Sequence, residues 1–359
     1  MPIAAAANDC FVMIKSNPLP LHLRASVVIP AYNAESILQQ CLKALESQTI
    51  PADQYEVIVV DDGSSDGTAE LAQRAGARVL QLEHQGPAAA RNAGAEAARA
   101  DIVVFTDADC EPAPDFLEQI LAVFDAPVVS GARGVYRTQQ RSLVARFVQL
   151  EYEERYQRIA RIEAEKGSVD ALDTSYAAYR RQVFLEAGGF DTRYLHAAVE
   201  DHELSFRLAK AGHIFRFVPA AVVYHNHVDS IGRYARRKFK IGYWKAFLTR
   251  QYPEYALHDA HTTPSLKLQI LVAAMLPLVA LAWLFWPAAG WIALGLALIF
   301  LFSSFPLLSL IYRRDKAVLL VAIPMLLVRA YASGLGFFWG LVHGPKLTAN
   351  SVPLTLSES

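Results

Sequence analysis

The chain has 359 residues, 53% of them hydrophobic, and a formal net charge of −1. This length fits one large domain or two smaller ones, and the balanced charge gives no sign of a nucleic-acid partner. Its 3 cysteines (Cys10, Cys41 and Cys110) are far apart and lack metal-ligand spacing, which excludes a disulfide framework and fits a reducing compartment.

Met1 to Phe11 lacks the basic start and apolar core of a secretory signal, and residues 1–24 read as a loosely structured lead-in. Residues 25–30 form a short apolar strand stopped by Pro30. Asn33 is expected to cap the next helix, whose apolar face is Ile37, Leu38, Cys41, Leu42 and Leu45. Residues 55–60 are a second buried strand, running into Asp61-Asp62-Gly63-Ser64-Ser65-Asp66-Gly67-Thr68, and Asp66 or Thr68 starts another helix. A third strand at 79–82 and an alanine-rich helix at 86–98 lead to the apolar strand Ile102-Val103-Val104-Phe105.

Strands alternating with helices at this spacing predict βα units and a parallel sheet, whose ligands sit beyond the carboxyl ends of the strands. Tyr32, Asp62, Asp107 and Asp109 all lie at such ends, so they share one edge. Asp107 and Asp109 are separated by one uncharged residue and can reach one point. Two converging anions repel unless a cation lies between them, and Mg²⁺ or Mn²⁺ suits oxygen ligands. Asp-x-Asp alone describes a solvated turn equally well; its neighbours decide.

Residues 114–124 read as a helix, 127–131 as a strand, 142–166 as a long, partly exposed helix and 173–181 as a strand-like passage. Glu200 and Asp201 open a further helix, where helix-dipole electrostatics would by itself account for acidity. A late strand at 215–224 ends in His225-Asn226-His227.

Residues 231–250 carry Arg233, Arg236, Arg237, Lys238, Lys240, Lys245 and Arg250 opposite a stripe of Ile231, Ala235, Phe239, Tyr243 and Phe247. That pattern predicts a helix in the lipid headgroup plane. Three apolar segments follow at about 268–286, 291–311 and 317–341, each near the ~20 residues needed to cross a bilayer. The basic turn 313–316 is expected on the cytoplasmic side and the uncharged turn 287–290 outside. The α/β domain is then expected to be cytoplasmic at the inner membrane, and the tail at 345–359 outside. Arg329 falls inside the third segment, where it meets an anionic lipid-linked group, snorkels, or makes a helix–helix contact.

The segments Val27 to Asn33, Val60 to Thr68, Ala90-Arg91-Asn92-Ala93-Gly94, Asp107-Ala108-Asp109, Gly188-Gly189-Phe190-Asp191 and Glu200-Asp201 occur in one order and spacing. Together they resemble family 2 glycosyltransferases, over roughly residues 25–230. The resemblance implies an α/β GT-A domain, Rossmann-like with a mostly parallel sheet. It also implies inverting transfer from a nucleotide-sugar, UDP-sugar favoured, with a divalent metal on the diphosphate.

On this resemblance Pro30, Ala31, Tyr32 and Glu35 belong to the donor pocket. Tyr32 offers an aromatic face to the base, though ordinary packing also explains it. Asp62 accepts a hydrogen bond from base or ribose; turn formation is its bland role. Arg91 offsets diphosphate charge, with a surface arginine as the alternative. Asp107 and Ala108 touch the donor, and Asp109 is the firmer metal ligand, with Asp107 and His225 completing the set. His227 competes with His225 for that place.

Inversion needs a base opposite the leaving group, which is assigned to Asp201, with Glu200 raising its proton affinity by like-charge repulsion. Tyr176 stands where the family often has Asn, four residues before Arg180-Arg181, and is assigned to the acceptor pocket or its support.

Two departures refine the reading. The Gln-x-x-Arg-Trp motif of processive synthases is missing after Asp201, so transfer is expected to be non-processive. Cys110-Glu111 replaces the Leu-Gln usual in polyprenyl-phosphate sugar synthases.

The expected organisation is a lead-in (1–24), a GT-A domain (25–230), a basic interfacial helix and linker (231–260), three transmembrane helices (268–341) and a tail (345–359). The expected partners are a nucleotide-sugar, a lipid-linked or membrane-presented acceptor, and membrane lipids. A polyprenyl-phosphate glycosyltransferase and a non-catalytic nucleotide-binding membrane scaffold are the alternatives.

Overall fold

Short apolar, β-branched runs build the centre of the molecule. In the computed structural model, which describes residues 23–169, 171–194, 199–253 and 263–344, eight strands form one mixed sheet. They are β1 (Ala25–Ala31), β2 (Tyr55–Asp61), β3 (Arg78–Gln81), β4 (Ile102–Phe105), β5 (Cys110–Pro112), β6 (Val129–Arg137), β7 (Ala177–Arg180) and β8 (Ile214–His225). Their order across the sheet is β3-β2-β1-β4-β7-β6-β8-β5.

The first four are parallel, with Val27 opposite Val57 on one side and Val104 on the other. The antiparallel partner β7 then pairs with β4 and β6. Strands β6 and β8 run parallel, and β5 closes the far edge antiparallel to β8. This is the expected α/β class with a mostly parallel sheet.

Helices cover both faces. On one face α1 (Glu35–Glu46) and α4 (Phe116–Ala122) bury Leu38, Cys41, Leu45, Phe116 and Ile120. On the other, α3 (Pro87–Ala97), α6 (Arg181–Glu186) and α7 (Glu200–Lys210) bury Ala88, Ala95, Phe184, Leu204 and Leu208. Helix α2 (Thr68–Arg74) follows β2, and α5 (Leu143–Lys166) follows β6.

Three local expectations change. Asn33 does not cap α1: Ala34 holds the cap position, while Asn33 adopts φ +48° and its Oδ1 accepts the Ser65 N–H at 2.9 Å. The passage at 173–181 is a 3₁₀ turn over Thr174–Tyr176 followed by the short strand β7. Strand β5 has no signature in the sequence; its three residues are extended because they pair with β8.

Helix α8 (Ile231–Gln251) is not a free amphipathic rod. It lies beside α11 (Leu319–His343), the last of three apolar helices after α9 (Pro264–Trp283) and α10 (Ala289–Arg314). A methyl group added at Gly336 or Gly340 would strike the backbone carbonyl of Phe239 or Tyr243. Glycines four residues apart thus let the two backbones approach closely. Part of the apolar stripe of α8 therefore meets protein.

Arg329 is also met by protein. Its Nη1 donates to Glu151 Oε1 on α5 at 3.0 Å, and its Nη2 to Gln269 Oε1 on α9 at 2.8 Å. Of the alternatives weighed for Arg329, helix–helix contact is the one observed, because a buried guanidinium needs an anion. Glu151 also accepts from Tyr234 OH at 2.8 Å and pairs with Lys238 at 3.3 Å. Burial opposes its ionisation, but Lys238, Arg329 and the Tyr234 hydroxyl outweigh this and hold Glu151 down to about 2.

The described helices match the apolar segments with small shifts in their ends, and all three are long and apolar enough to cross a membrane. The segments at 1–22, 254–262 and 345–359, which include most of the lead-in, the linker and the tail, lie outside the described residues. Glu151→Ala would leave Arg329 and Lys238 buried without their anion. The expected cost is about 3–5 kcal/mol, read as a lower thermal unfolding midpoint of the detergent-solubilised protein, with Glu151→Gln closer to wild type.

Candidate active site

The site is assembled from loops at the carboxyl ends of β1, β2 and β4. The loops after β1 and β2 clasp each other. Asn33 N–H donates to Ser64 Oγ at 2.8 Å, Ala34 N–H to Thr68 Oγ1 at 2.8 Å and Gly67 N–H to Glu35 Oε2 at 3.0 Å. Glu35 therefore bonds within the protein. Pro30 and Ala31 end β1, and Tyr32, 50% exposed, stacks on His84 with ring centroids 4.1 Å apart. Asp62 is buried, and its carboxylate accepts from the N–H groups of Gln85 at 2.8 Å and Gly86 at 2.9 Å. It shapes the loop that carries His84 and starts α3.

Adjacent residues of α3 reach two more loops. Arg91 is not a surface arginine. It is buried, with Nη2 donating to Asp107 Oδ1 at 2.7 Å and Nη1 to Glu200 Oε1 at 3.1 Å. Asn92 exchanges two hydrogen bonds with the Phe190 backbone, each 2.8 Å long. Gly189 has φ +67°, and a side chain there would strike the Asn92 amide, so the Gly-Gly-Phe-Asp turn needs glycine at this point.

The Asp-x-Asp carboxylates differ in surroundings. Asp107 also accepts from the Ser175 hydroxyl. Burial would raise it, but Arg91 and Ser175 prevail and hold it below the usual carboxylate range. Asp109 is half exposed and lies 3.7 Å from His225 Nδ1. Burial and the Asp107 charge push Asp109 up, against His225. His225 arrives there because β5 and β8 pair Cys110 with His225. His227 points elsewhere: its Nε2 lies 3.0 Å from Gln149 Oε1, and its ring stacks on Tyr152.

Side-chain donor atoms of Asp109, Cys110 and His225 lie within 4.8 Å of one another. Oxygen and nitrogen donors beside a half-exposed carboxylate fit a divalent cation such as Mn²⁺. Asp107, engaged by Arg91 and Ser175, stands outside that group of donor atoms.

Asp201 lies in the first turn of α7 and accepts from His202 N–H at 2.8 Å. Burial, then the charges of Glu200 and Asp173, push its carboxyl well above the ordinary carboxylate range. A carboxyl so perturbed in a cavity is a candidate for proton transfer. Tyr176 is fully buried; its hydroxyl donates to Asp173 Oδ2 at 2.7 Å and accepts from Arg133 at 3.0 Å. Its hydroxyl thus links Asp173 to Arg133.

A cavity of about 770 Å³ joins these groups. Arg91, Asp107, Asp109, Tyr176, Glu200, Asp201 and His225 line it, whereas Pro30, Ala31, Tyr32, Glu35, Asp62 and Ala108 stand outside its lining. The far wall comes from α8, the start of α9 and α11. Asp173 and Ser175 line the cavity and His84 stacks on Tyr32, but none carried a motif; each is placed by a contact made only on folding.

Replacing Arg91 by Gln would leave Glu200 and Asp107 without their counter-ion. The expected loss is about 3–5 kcal/mol of stability at neutral pH, measured by thermal unfolding.

Residues 26–188 match the family model described as Glycosyl transferase family 2. Over 100 residues the chain is 44% identical to glycosyltransferase AglE of Haloferax volcanii, covering 26% of this chain and 33% of that protein. Over 242 residues it is 32% identical to pre-mycofactocin glycosyltransferase of Mycobacterium tuberculosis, covering 66% and 49%. The chain thus spans half or less of these relatives' lengths. Its fold is similar to that of the mannosyltransferase PcManGT from Pyrobaculum calidifontis, solved with GDP-Man and Mn²⁺. The TM-score is 0.56 at 21% identity, over 89% of this chain and 88% of that one. Residues 26–188 therefore form a glycosyltransferase family 2 domain of GT-A fold, followed by three helices long and apolar enough to cross a membrane.

Proposed function

We propose that this chain is a membrane-anchored, non-processive, inverting glycosyltransferase. It moves one sugar from a nucleotide-sugar, a UDP-sugar first, to a lipid-linked or membrane-presented acceptor in cell-surface glycan assembly. The observation that carries this reading is the meeting of Asp107, Asp109, Asp201 and His225 on one cavity whose opposite wall is built by α8, α9 and α11.

Asp201 takes the acceptor hydroxyl proton as that oxygen attacks the anomeric carbon. The carbon–oxygen bond to the donor phosphate breaks, and its electron pair leaves on the nucleotide diphosphate. Glu200 and Asp173 keep the proton affinity of Asp201 high, and Arg91 holds Glu200 and Asp107 in register. A Mg²⁺ or Mn²⁺ ion bound by Asp109 and His225 would neutralise charge developing on the departing diphosphate. Tyr32, stacked on His84 at the end of β1, is the surface proposed for the base.

A polyprenyl-phosphate transferase needs no hydroxyl-deprotonating base, and a scaffold needs no buried Asp201. Asp201→Asn is expected to lower kcat by roughly 10²–10⁴-fold in a nucleotide-release assay while nucleotide binding persists. Equal release by wild type and variant would overturn the base assignment. Because the base works ionised, kcat should rise with pH through a limb well above the ordinary carboxylate range. Glu200→Gln, which removes the adjacent charge, should move that limb to lower pH.

The catalytic domain is proposed to face the cytoplasm. Arg146 of α5 pairs with Asp315 at 2.7 Å, which supports having the basic 313–316 turn on the domain's side. For α11 the proposed arrangement departs from the three crossings expected from hydropathy. It contacts α5 through Arg329 and α8 through Gly336 and Gly340, and α8 carries exposed Arg236, Lys240 and Arg250 along the same stretch. Burying those cations in hydrocarbon would be expensive. We therefore propose that α9 and α10 cross as a hairpin while α11 lies with α8 at the surface.

A cysteine at Val342 should label with an impermeant maleimide from the catalytic domain's side, and one at Trp286 from the opposite side. Labelling of Val342→Cys from the opposite side would restore three crossings.

A further inference from the structure

The cavity is divided by charge. Its sheet side gathers Asp107, Asp109, Asp173 and Asp201, of which Asp107 is paired with Arg91 and Asp173 with Arg133 and Arg155, while its other side carries Arg237, Lys240 and Lys245 from α8 and Lys267 from α9. Lys238, also in the lining, is matched by Glu151. Arg237 is not matched in this way. Its half-buried guanidinium donates to Tyr152 OH at 3.0 Å, and among the described residues no carboxylate lies within 4.0 Å of it. Lys240, at the rim, has no such partner either among the described residues.

A guanidinium removed from water and facing a cavity without a counter-ion favours a bound anion, and its planar fork suits phosphate oxygens. Next to these cations the lining turns apolar, with Leu266 and Ile270 of α9 and Phe337 of α11. An amphiphile with an anionic head fits both halves of this wall.

We propose that Arg237 and Lys240 form the seat for the phosphate or diphosphate of a lipid-linked acceptor, with its chain leaving past Ile270 and Phe337. The assignment rests on the glycosyl-transfer reading only for what happens at the other end, where a hydroxyl meets Asp201. Asp107 and Asp173 already hold arginine partners, which leaves Arg237 as the guanidinium of the lining with no carboxylate partner among the described residues, on the wall opposite Asp201. The head group and the attacked hydroxyl are therefore separated, and a carrier already bearing a sugar spans them.

The test uses the full chain in phosphatidylcholine nanodiscs, with farnesyl diphosphate, farnesol, inorganic pyrophosphate and UDP–Mn²⁺ as separate binding probes. Farnesyl diphosphate is expected to bind at least about ten-fold more tightly than either farnesol or pyrophosphate. Arg237→Gln and Lys240→Gln should each weaken farnesyl diphosphate by about ten-fold while UDP–Mn²⁺ stays within about two-fold, and Arg237→Lys should recover much of the loss. Lys240 is exposed, so its variant reports even if Arg237→Gln unfolds.

Weakened UDP–Mn²⁺ with unchanged farnesyl diphosphate would assign the cations to the donor and overturn the proposal. Pyrophosphate binding as tightly as the lipid, or no effect of either variant, would overturn it too. Nucleotide release plays no part in these measurements. Its absence from every donor would sink the transferase reading and leave the phosphate seat standing.

Discussion

The site depends on one buried guanidinium. Arg91 bridges the carboxylates of Asp107 and Glu200, groups that would otherwise repel across the end of the sheet. In doing so it ties the start of α7 to the end of β4, and so brings Asp201 to the cavity that holds Asp109. Its neighbour Asn92 fixes the Phe190 turn that precedes α7. Two consecutive residues of an alanine-rich helix thus set the geometry of two distant acidic loops. The same charge arrangement divides labour among the carboxylates: Asp107 is held ionised by Arg91 and Ser175, while at Asp201 burial and the charges of Glu200 and Asp173 outweigh the His202 N–H and Arg91, so that it binds its proton more firmly.

Much of this was legible in the sequence wherever the signal was local. Apolar runs bounded by turn residues located β1, β2, β3 and β4, and periodicity located α1, α5, α8 and the three apolar helices. The Asp-x-Asp pair and Asp201 stood at strand and helix ends, where sheet geometry makes groups converge. What escaped reading depends on contacts distant along the chain. Arg91 meets Glu200 across 109 residues, and Arg329 meets Glu151 across 178. No period or propensity encodes such a partner. Strand β5 is extended only because β8 lies beside it, and that pairing is what sets His225 beside Asp109 while His227 meets Gln149. Asn33 looked like a cap because caps favour Asn; its side chain instead holds the loop at Ser65.

The joint between domain and apolar helices follows from the same rules. Glu151 gathers Arg329, Lys238 and Tyr234, while glycines of α11 admit the backbone of α8. The Glu151 cluster, the Arg146–Asp315 pair and the close packing of α8 on α11 hold the helices against the cavity. On the proposed function, a membrane-borne acceptor would then meet the cavity's carboxylates at high effective concentration, without tight binding of each partner separately.

The central claim is transfer of a single sugar with inversion. Its most direct measurement is the product formed when the full chain in lipid is given Mg²⁺ or Mn²⁺, a panel of nucleotide-sugars and membrane lipid extract. The account predicts a lipid product heavier by one sugar, whose anomeric configuration by NMR is opposite to the donor's. A product with retained configuration, or nucleotide binding without product from any donor, would contradict it.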